Sequence, residues 1–164
     1  MKQITIFTDG SSRGNPGPGG WAAIMLFAGE DGKIETIQEL GGREDHTTNN
    51  RMELKGAIEA LRTLPANSDI IVKADSEYVV KGITIWISGW VNKGWKTAAK
   101  KAVLNQDLWQ ELLAAAKGKN ITWEVVKGHD GEVSNERADV IATSFADGHP
   151  VELFKGSSKN YEFL

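Results

Sequence analysis

At 164 residues, 40% hydrophobic and 25% charged, the chain has the length and apolar content of one compact domain. It contains no cysteine, which excludes disulfides and zinc–thiolate centres, and no apolar run long enough to cross a bilayer; its N-terminus is unlike a secretory signal, so a cytoplasmic protein is expected. The net charge of −3 argues at first against a nucleic-acid partner, but it hides an asymmetry: Lys81, Lys93, Lys96, Lys100 and Lys101 lie between Tyr78 and Gln106 with no acid among them.

Residues 2–8 alternate in period two and predict a strand ended by Asp9-Gly10. The glycine- and proline-rich run 11–20 predicts a loop. Trp21 to Phe27 predicts a second strand, Gly29 to Gly32 a turn, and Lys33 to Leu40 a third strand, together an antiparallel meander. The period then changes: Leu54, Ala57, Ile58, Leu61 and Leu64 fall at helical spacing, with cap candidates over Thr47 to Asn50 and Pro65 as the stop. Ile70 to Ala74 predicts a buried strand ending at Asp75, followed by a short helix and a Trp- and Lys-rich segment, 83–101. Asp107 to Lys117 predicts a helix, Ile121 to Val126 a last strand, and Ser134 caps a final helix with a stripe of Ala138, Ile141, Ala142 and Phe145. The order β-β-β-α-β-α-α-β-α implies an α/β fold with a mixed sheet flanked by helices. Residues 148–164 lose periodicity and read as a tail beyond a domain of residues 1–147, with Phe154, Tyr161 and Phe163 as candidates for docking on the body.

Four acids stand out. Taken singly, Asp9 reads as a turn residue, Asp75 as a helix cap, and Glu53 as part of an Asn50-x-x-Glu53 capping box. Asp139 shares a stripe with Ala138, Ala142 and Ala146, so it is expected to face inward, where a charge needs a partner. Taken together they read differently. In α/β sheets function gathers at the carboxyl ends of strands, and two strands here end in Asp. Converging carboxylates without cations repel by roughly 3 kcal/mol per pair at about 5 Å and an effective dielectric of about 20. An all-oxygen carboxylate set suits Mg²⁺ or Mn²⁺. Paired divalent ions suit in-line displacement at phosphorus, and no nucleophilic Ser or Cys constellation competes for the role.

Six stretches, TDGSSRGNPGPGG (8–20), TTNNRMEL (47–54), DSEYV (75–79), WKTAAKKAVLNQDLW (95–109), WEVVKGHDG (123–131) and NERAD (135–139), occur in an order that resembles bacterial type 1 ribonuclease H. The resemblance implies a five-stranded mixed sheet flanked by helices. It also implies hydrolysis of the RNA strand of RNA–DNA hybrids with Mg²⁺ or Mn²⁺, leaving 3′-hydroxyl and 5′-phosphate ends. Asp9 matches the carboxylate shared by both metals, and Glu53, Asp75 and Asp139 match the other ligands. His129 matches a mobile histidine that assists proton transfer or product release; without the flanking match it reads as an exposed turn residue. A monomer is expected.

The resemblance further makes Ser12, Asn15, Asn49 and Asn50 candidates for contacting the hybrid's minor groove, which is read by shape and 2′-hydroxyls. Those residues also read simply as turn and cap residues, and both readings can hold together. Thr48 is a candidate phosphate contact. Segment 83–101 matches a basic protrusion, with Lys93, Lys96, Lys100 and Lys101 as candidates for gripping the DNA backbone and Trp86 as a substrate contact. Packing is expected for at least two of Trp86, Trp90 and Trp95. Two positions depart from the family pattern: Glu77, where Gln is frequent, and Asp130, where a small residue is frequent. The rivals are a noncatalytic hybrid-binding module, a DNA-directed nuclease of the same fold, and a metal-free carbohydrate hydrolase. The four carboxylates, the basic segment with its NPGPGG loop, and the expected metal dependence argue against each in turn.

Overall fold

The computed structural model describes residues 3–126 and 132–164. Strands β1 (Gln3–Ser12), β2 (Gly17–Ala28) and β3 (Ile34–Thr47) form the meander, and helix α1 (Asn49–Arg62) follows. Strand β4 (Asp69–Ala74) leads into α2 (Glu77–Lys81), a π-helical turn (Gly82–Trp86) and α3 (Ile87–Asn92). Helix α4 (Gln106–Ala116), β5 (Asn120–Val125), α5 (Val133–Ala146) and the short β6 (Lys155–Ser157) complete the order. The sheet runs β5-β4-β1-β2-β3-β6, with β1, β4 and β5 parallel and the other pairings antiparallel. The sheet has six strands and not five, because part of the C-terminal segment adds β6 to the edge of β3.

Two hydrophobic layers sandwich the sheet, and strand parity assigns residues to them. On β2, Ala23 and Met25 face the layer of α1 and α4, while Ala22, Ile24 and Leu26 face α5. On β1, Ile4 and Ile6 face α1 and Phe7 faces α5. Central strands buried on both faces read as nearly continuous apolar runs, as β2 does from Trp21 to Ala28. The stripe Leu54, Ala57, Ile58 and Leu61 fixes which side of α1 is buried. Two close approaches depend on glycine. A Cβ at Gly10 would lie 2.4 Å from the Glu53 backbone nitrogen, and one at Gly20 would lie 2.2 Å from the Ala142 carbonyl oxygen. Bare backbone there lets α1 and α5 press on opposite faces at the same end of the sheet.

Several expected boundaries move. Strand β1 does not stop at Asp9-Gly10: pairing with β2 continues through Asp9↔Ala22 and Gly10↔Trp21 to Ser12↔Gly19, and the tight turn is displaced beyond it. Likewise β3 runs on from Leu40 to Thr47, because β2 supplies partners as far as Gly17. The Asn50–Glu53 capping box is not formed. Thr48 is the cap, its hydroxyl accepting a hydrogen bond from the Arg51 N–H at 3.3 Å, and Glu53 lies deeper in α1. Ser134 does not cap α5 either; the helix begins at Val133, and the Ser134 hydroxyl donates to the Phe163 carbonyl at 2.8 Å. The aromatic residues of the last segment dock as the sequence allowed: Tyr161 is buried, with Phe154 and Phe163 at ring distances of 5.0 and 5.5 Å.

Candidate active site

The parallel register sets Thr8 of β1 against Ala74 of β4, so Asp75, the next residue after β4, comes level with Asp9. Asp9 shares parity with Phe7 and lies toward the α5 layer. Glu53 arrives from α1 over Gly10, and Asp139 from α5. Asp9 and Glu53 are almost wholly buried, at 3% and 7% exposure. Asp75 is half-buried. Asp139 is exposed, not inward-facing: it sits one position beyond Ala138, which occupies the buried line, and so reaches the rim.

Burial raises the Asp9 pKa from an ordinary 3.8 to about 7, helped by the charges of Asp139 and Asp75 and opposed by hydrogen bonding to Glu53 and Gly10. The Gly10 N–H donates to Asp9 Oδ1 at 2.8 Å. Glu53 is pushed well above the usual carboxylate range, first by burial and then by the charge of Asp9. Among the described residues, its buried Oε2 has no hydrogen-bond partner. A buried carboxylate oxygen with no donor is costly unless something positive meets it. Among the described residues, no three His, Asp or Glu side chains are grouped tightly enough to enclose a metal ion as they stand.

Beside the cluster, Asn15, Thr48, Asn49, Asn50, Leu104 and Asn105 line one groove, and Asn15 Oδ1 accepts from the Asn49 N–H at 2.9 Å. The turn and the helix cap are therefore one surface. The Ser12 hydroxyl donates to the Gly14 carbonyl and lies 3.5 Å from that of Thr47. Three polar residues that the sequence did not single out hold this surface together. Arg13 pairs with Asp147 through two bonds of 2.5 and 2.7 Å, tying the turn to the end of α5. Arg51 donates to both oxygens of Asp107 at 2.9 and 2.7 Å and to Asn105 at 3.3 Å, tying α1 to the start of α4. Arg51 lies within TTNNRMEL, which was the available signal; Arg13 and Asn105 carried none beyond their places in matched stretches.

Lys93, Lys96, Lys100 and Lys101 are all exposed, and among the described residues none is in a salt bridge. Lys81, by contrast, pairs with Glu77 at 3.1 Å on α2. Trp90 and Trp95 pack on the core beside the fully buried Trp109, while Trp86 is 38% exposed and edge-on to Tyr78 at 6.1 Å. Among these Trp residues, the packing expectation falls on Trp90 and Trp95, and Trp86 keeps a free face. His129 and Asp130 lie outside the described residues.

The family model described as RNase H matches residues 1–147. The chain is 54% identical over 151 residues to a ribonuclease H of Thermosynechococcus vestitus, covering 90% of this chain and 91% of that one. It is 52% identical over 147 residues to a ribonuclease H of Chromohalobacter salexigens, covering 90% and 86% respectively. Among solved structures it is similar to LC9-RNase H1, described as a type 1 RNase H with the type 2 active-site motif. That match has a TM-score of 0.82 and 33% identity, and covers 94% of this chain and 77% of that one. With the family model spanning nearly the whole chain and relatives above half identity agreeing, the chain belongs to the ribonuclease H family.

Proposed function

We propose that the cleft formed by Asp9, Glu53, Asp75 and Asp139 is where this ribonuclease H hydrolyses the RNA strand of RNA–DNA hybrids, leaving 3′-hydroxyl and 5′-phosphate ends. The observation that carries this reading is the buried Asp9–Glu53 pair, with no donor to Glu53 Oε2 among the described residues. Acids held that way fit a hard divalent cation, Mg²⁺ or Mn²⁺, which would draw the rim residues Asp75 and Asp139 toward them. When bound, paired ions supply an activated water and neutralise the charge developing on the leaving oxygen.

The chain's own residues do the rest. Ser12, Asn15, Asn49 and Asn50 contact the hybrid's minor groove through its shape and sugar hydroxyls, with Thr48 on a neighbouring phosphate. Lys93, Lys96, Lys100 and Lys101 hold the DNA backbone, and Trp86 lays its free face on a sugar. His129 moves a proton or helps product leave. One chain carries every residue named, so a monomer suffices.

The test offers one labelled sequence as RNA–DNA hybrid, RNA duplex, DNA duplex and single-stranded RNA, each with Mg²⁺, Mn²⁺ or EDTA. Cutting confined to the RNA of the hybrid, and abolished by EDTA, is the expected result. Cutting that persists in EDTA would overturn the metal assignment, and cutting of DNA duplex the substrate assignment.

A further inference from the structure

We infer that the C-terminal segment, residues 149–164, is a positioning strap for Asp139, acting through a buried node of Glu39, Arg137 and Tyr161. This rests on the reading of Asp139 as a metal-holding residue. The strap lies beyond the residues matched by the family model, 1–147.

Glu39 sits on β3 with a fully buried side chain, and four donors converge on it. Arg137 Nε donates to Oε2 at 2.9 Å and Arg137 Nη2 to Oε1 at 3.1 Å. The Phe154 N–H donates to Oε1 at 2.9 Å and the Tyr161 hydroxyl to Oε2 at 2.7 Å. Two donors come from α5 and two from the strap, so one carboxylate joins three parts of the chain. A buried charge so fully satisfied holds its partners in a single geometry.

The strap also grips α5 directly. Phe163 accepts from Ser134 at 2.8 Å, Arg137 donates to the Glu152 carbonyl at 3.1 Å, and the Arg137 guanidinium lies 4.4 Å from the Phe163 ring centre. Further along, the Val151 N–H donates to the Ser144 hydroxyl at 3.1 Å. Strand β6 and the Ser158 hydroxyl, donating to the Ile34 carbonyl at 2.7 Å, anchor the strap to β3.

These grips bracket Asp139, which follows Arg137 by two residues. The face of α5 against the sheet sets Ala138, Ala142 and Ala146 beside Ile141 and Phe145, with Phe145 over Gly20 and Gly41, so its side chains on the sheet are all apolar and the length of the helix facing β2 is mostly small. Small residues permit close packing but resist rotation about the helix axis weakly. Asp139 faces other acids that push it away. The polar node supplies what the alanine stripe does not: a fixed rotation and axial position for the helix that carries the charge.

The test uses full-length Tyr161→Phe, which removes one donor and keeps the ring, and Glu39→Gln, which keeps the shape and removes the charge. Both are measured where circular dichroism shows them fully folded. Mn²⁺ affinity is read by calorimetry, and kcat and KM on hybrid are read across Mg²⁺ concentrations. Groups bonded directly to a metal residue alter metal affinity by about 10- to 100-fold, and the node acts on Asp139 only through the helix, so roughly three- to ten-fold weaker Mn²⁺ binding is expected, with KM changed less than about two-fold and kcat recovered at high Mg²⁺. Unchanged Mn²⁺ affinity and kcat in both folded variants, with only the melting temperature lowered, would overturn the positioning role. Asp139→Asn serves as control. If it retains wild-type Mn²⁺ affinity and kcat, the metal-holding reading fails, and the strap's role with it.

Discussion

Replacing Asp9 by Asn in the metal-free protein should stabilise it, and the gain should depend on pH in a defined way. Burial holds the Asp9 carboxyl at about 7 against an ordinary 3.8. At about 1.4 kcal/mol per pH unit, this corresponds to roughly 4 kcal/mol of native-state destabilisation once Asp9 is ionised. The sign follows from proton counting. Between those two values the native state holds a proton that the unfolded chain has released, so stability falls as pH rises and levels off above about 7. Asn has no proton to lose, and its Oδ1 can still accept from the Gly10 N–H. Because Asp9 and Glu53 share the repulsion, neutralising one relieves part of the other's, and the two penalties are not summed. A gain of about 2–4 kcal/mol at pH 8 is expected, or roughly 5–15 °C in Tm for a chain of this size. Thermal melts in EDTA at pH 8 and pH 4.5 should show most of this difference gone at the lower pH. Millimolar Mg²⁺ at pH 8 should narrow it by stabilising the wild type alone, while hybrid cleavage by the variant is abolished. A Tm difference that is the same at both pH values, or an Asn variant less stable at pH 8, would refute the argument.

Substrate affinity should fall with salt at a log–log slope near −3 if about four lysines neutralise phosphates, or on the order of 60-fold from 50 to 200 mM. Replacing Lys96, Lys100 and Lys101 by Ala should flatten that slope in an anisotropy titration; an unchanged slope would make them a solvated face only. Trp86→Ala should cost less than about 1 kcal/mol of stability, since the side chain is 38% exposed, yet weaken hybrid binding. Trp109→Ala, fully buried, should cost about 3–5 kcal/mol in denaturant melts. Gly10→Ala should cost about 2–3 kcal/mol and lower cleavage, because its Cβ would lie 2.4 Å from the Glu53 nitrogen and displace α1; wild-type activity in that variant would mean the approach of α1 does not place Glu53.

The parts of this protein legible in its sequence are those set by periodicity and by local matches. The stripe of α1 and the strand before Asp75 appear where the pattern puts them, and β1 and β2 form on the stretches expected of them, though both run longer. What escaped depends on partners distant in the chain. The extension of β1 through Asp9 exists because β2 pairs with it, and nothing in TDGSS announces a strand. Asp139 was expected inside because it neighbours an alanine line, but a step of one residue turns a helix by about 100° and carries it to the rim. The Glu39 node did leave a trace. Glu39 has the parity of the buried Ile37, so an acid on that face demanded a partner. The partner could not be named, because Arg137 lies 98 residues away. The sequence singles out the four acids and the basic segment as candidates, whereas the ties made by Arg13 and Arg51 across 134 and 56 residues leave no local trace in it.

The two layers on either face of the sheet have a consequence for when this nuclease is dangerous. Glu53 belongs to the helix of one layer and Asp139 to the helix of the other, while Asp9 stands on the strand between them. If either helix lifts away, the acids part company. The proposed basic grip lies on a segment apart from these two helices, so binding of nucleic acid and cutting of it would depend on different parts of the fold. On the proposed assignment, cleavage therefore reports that both helices are seated on the sheet at once.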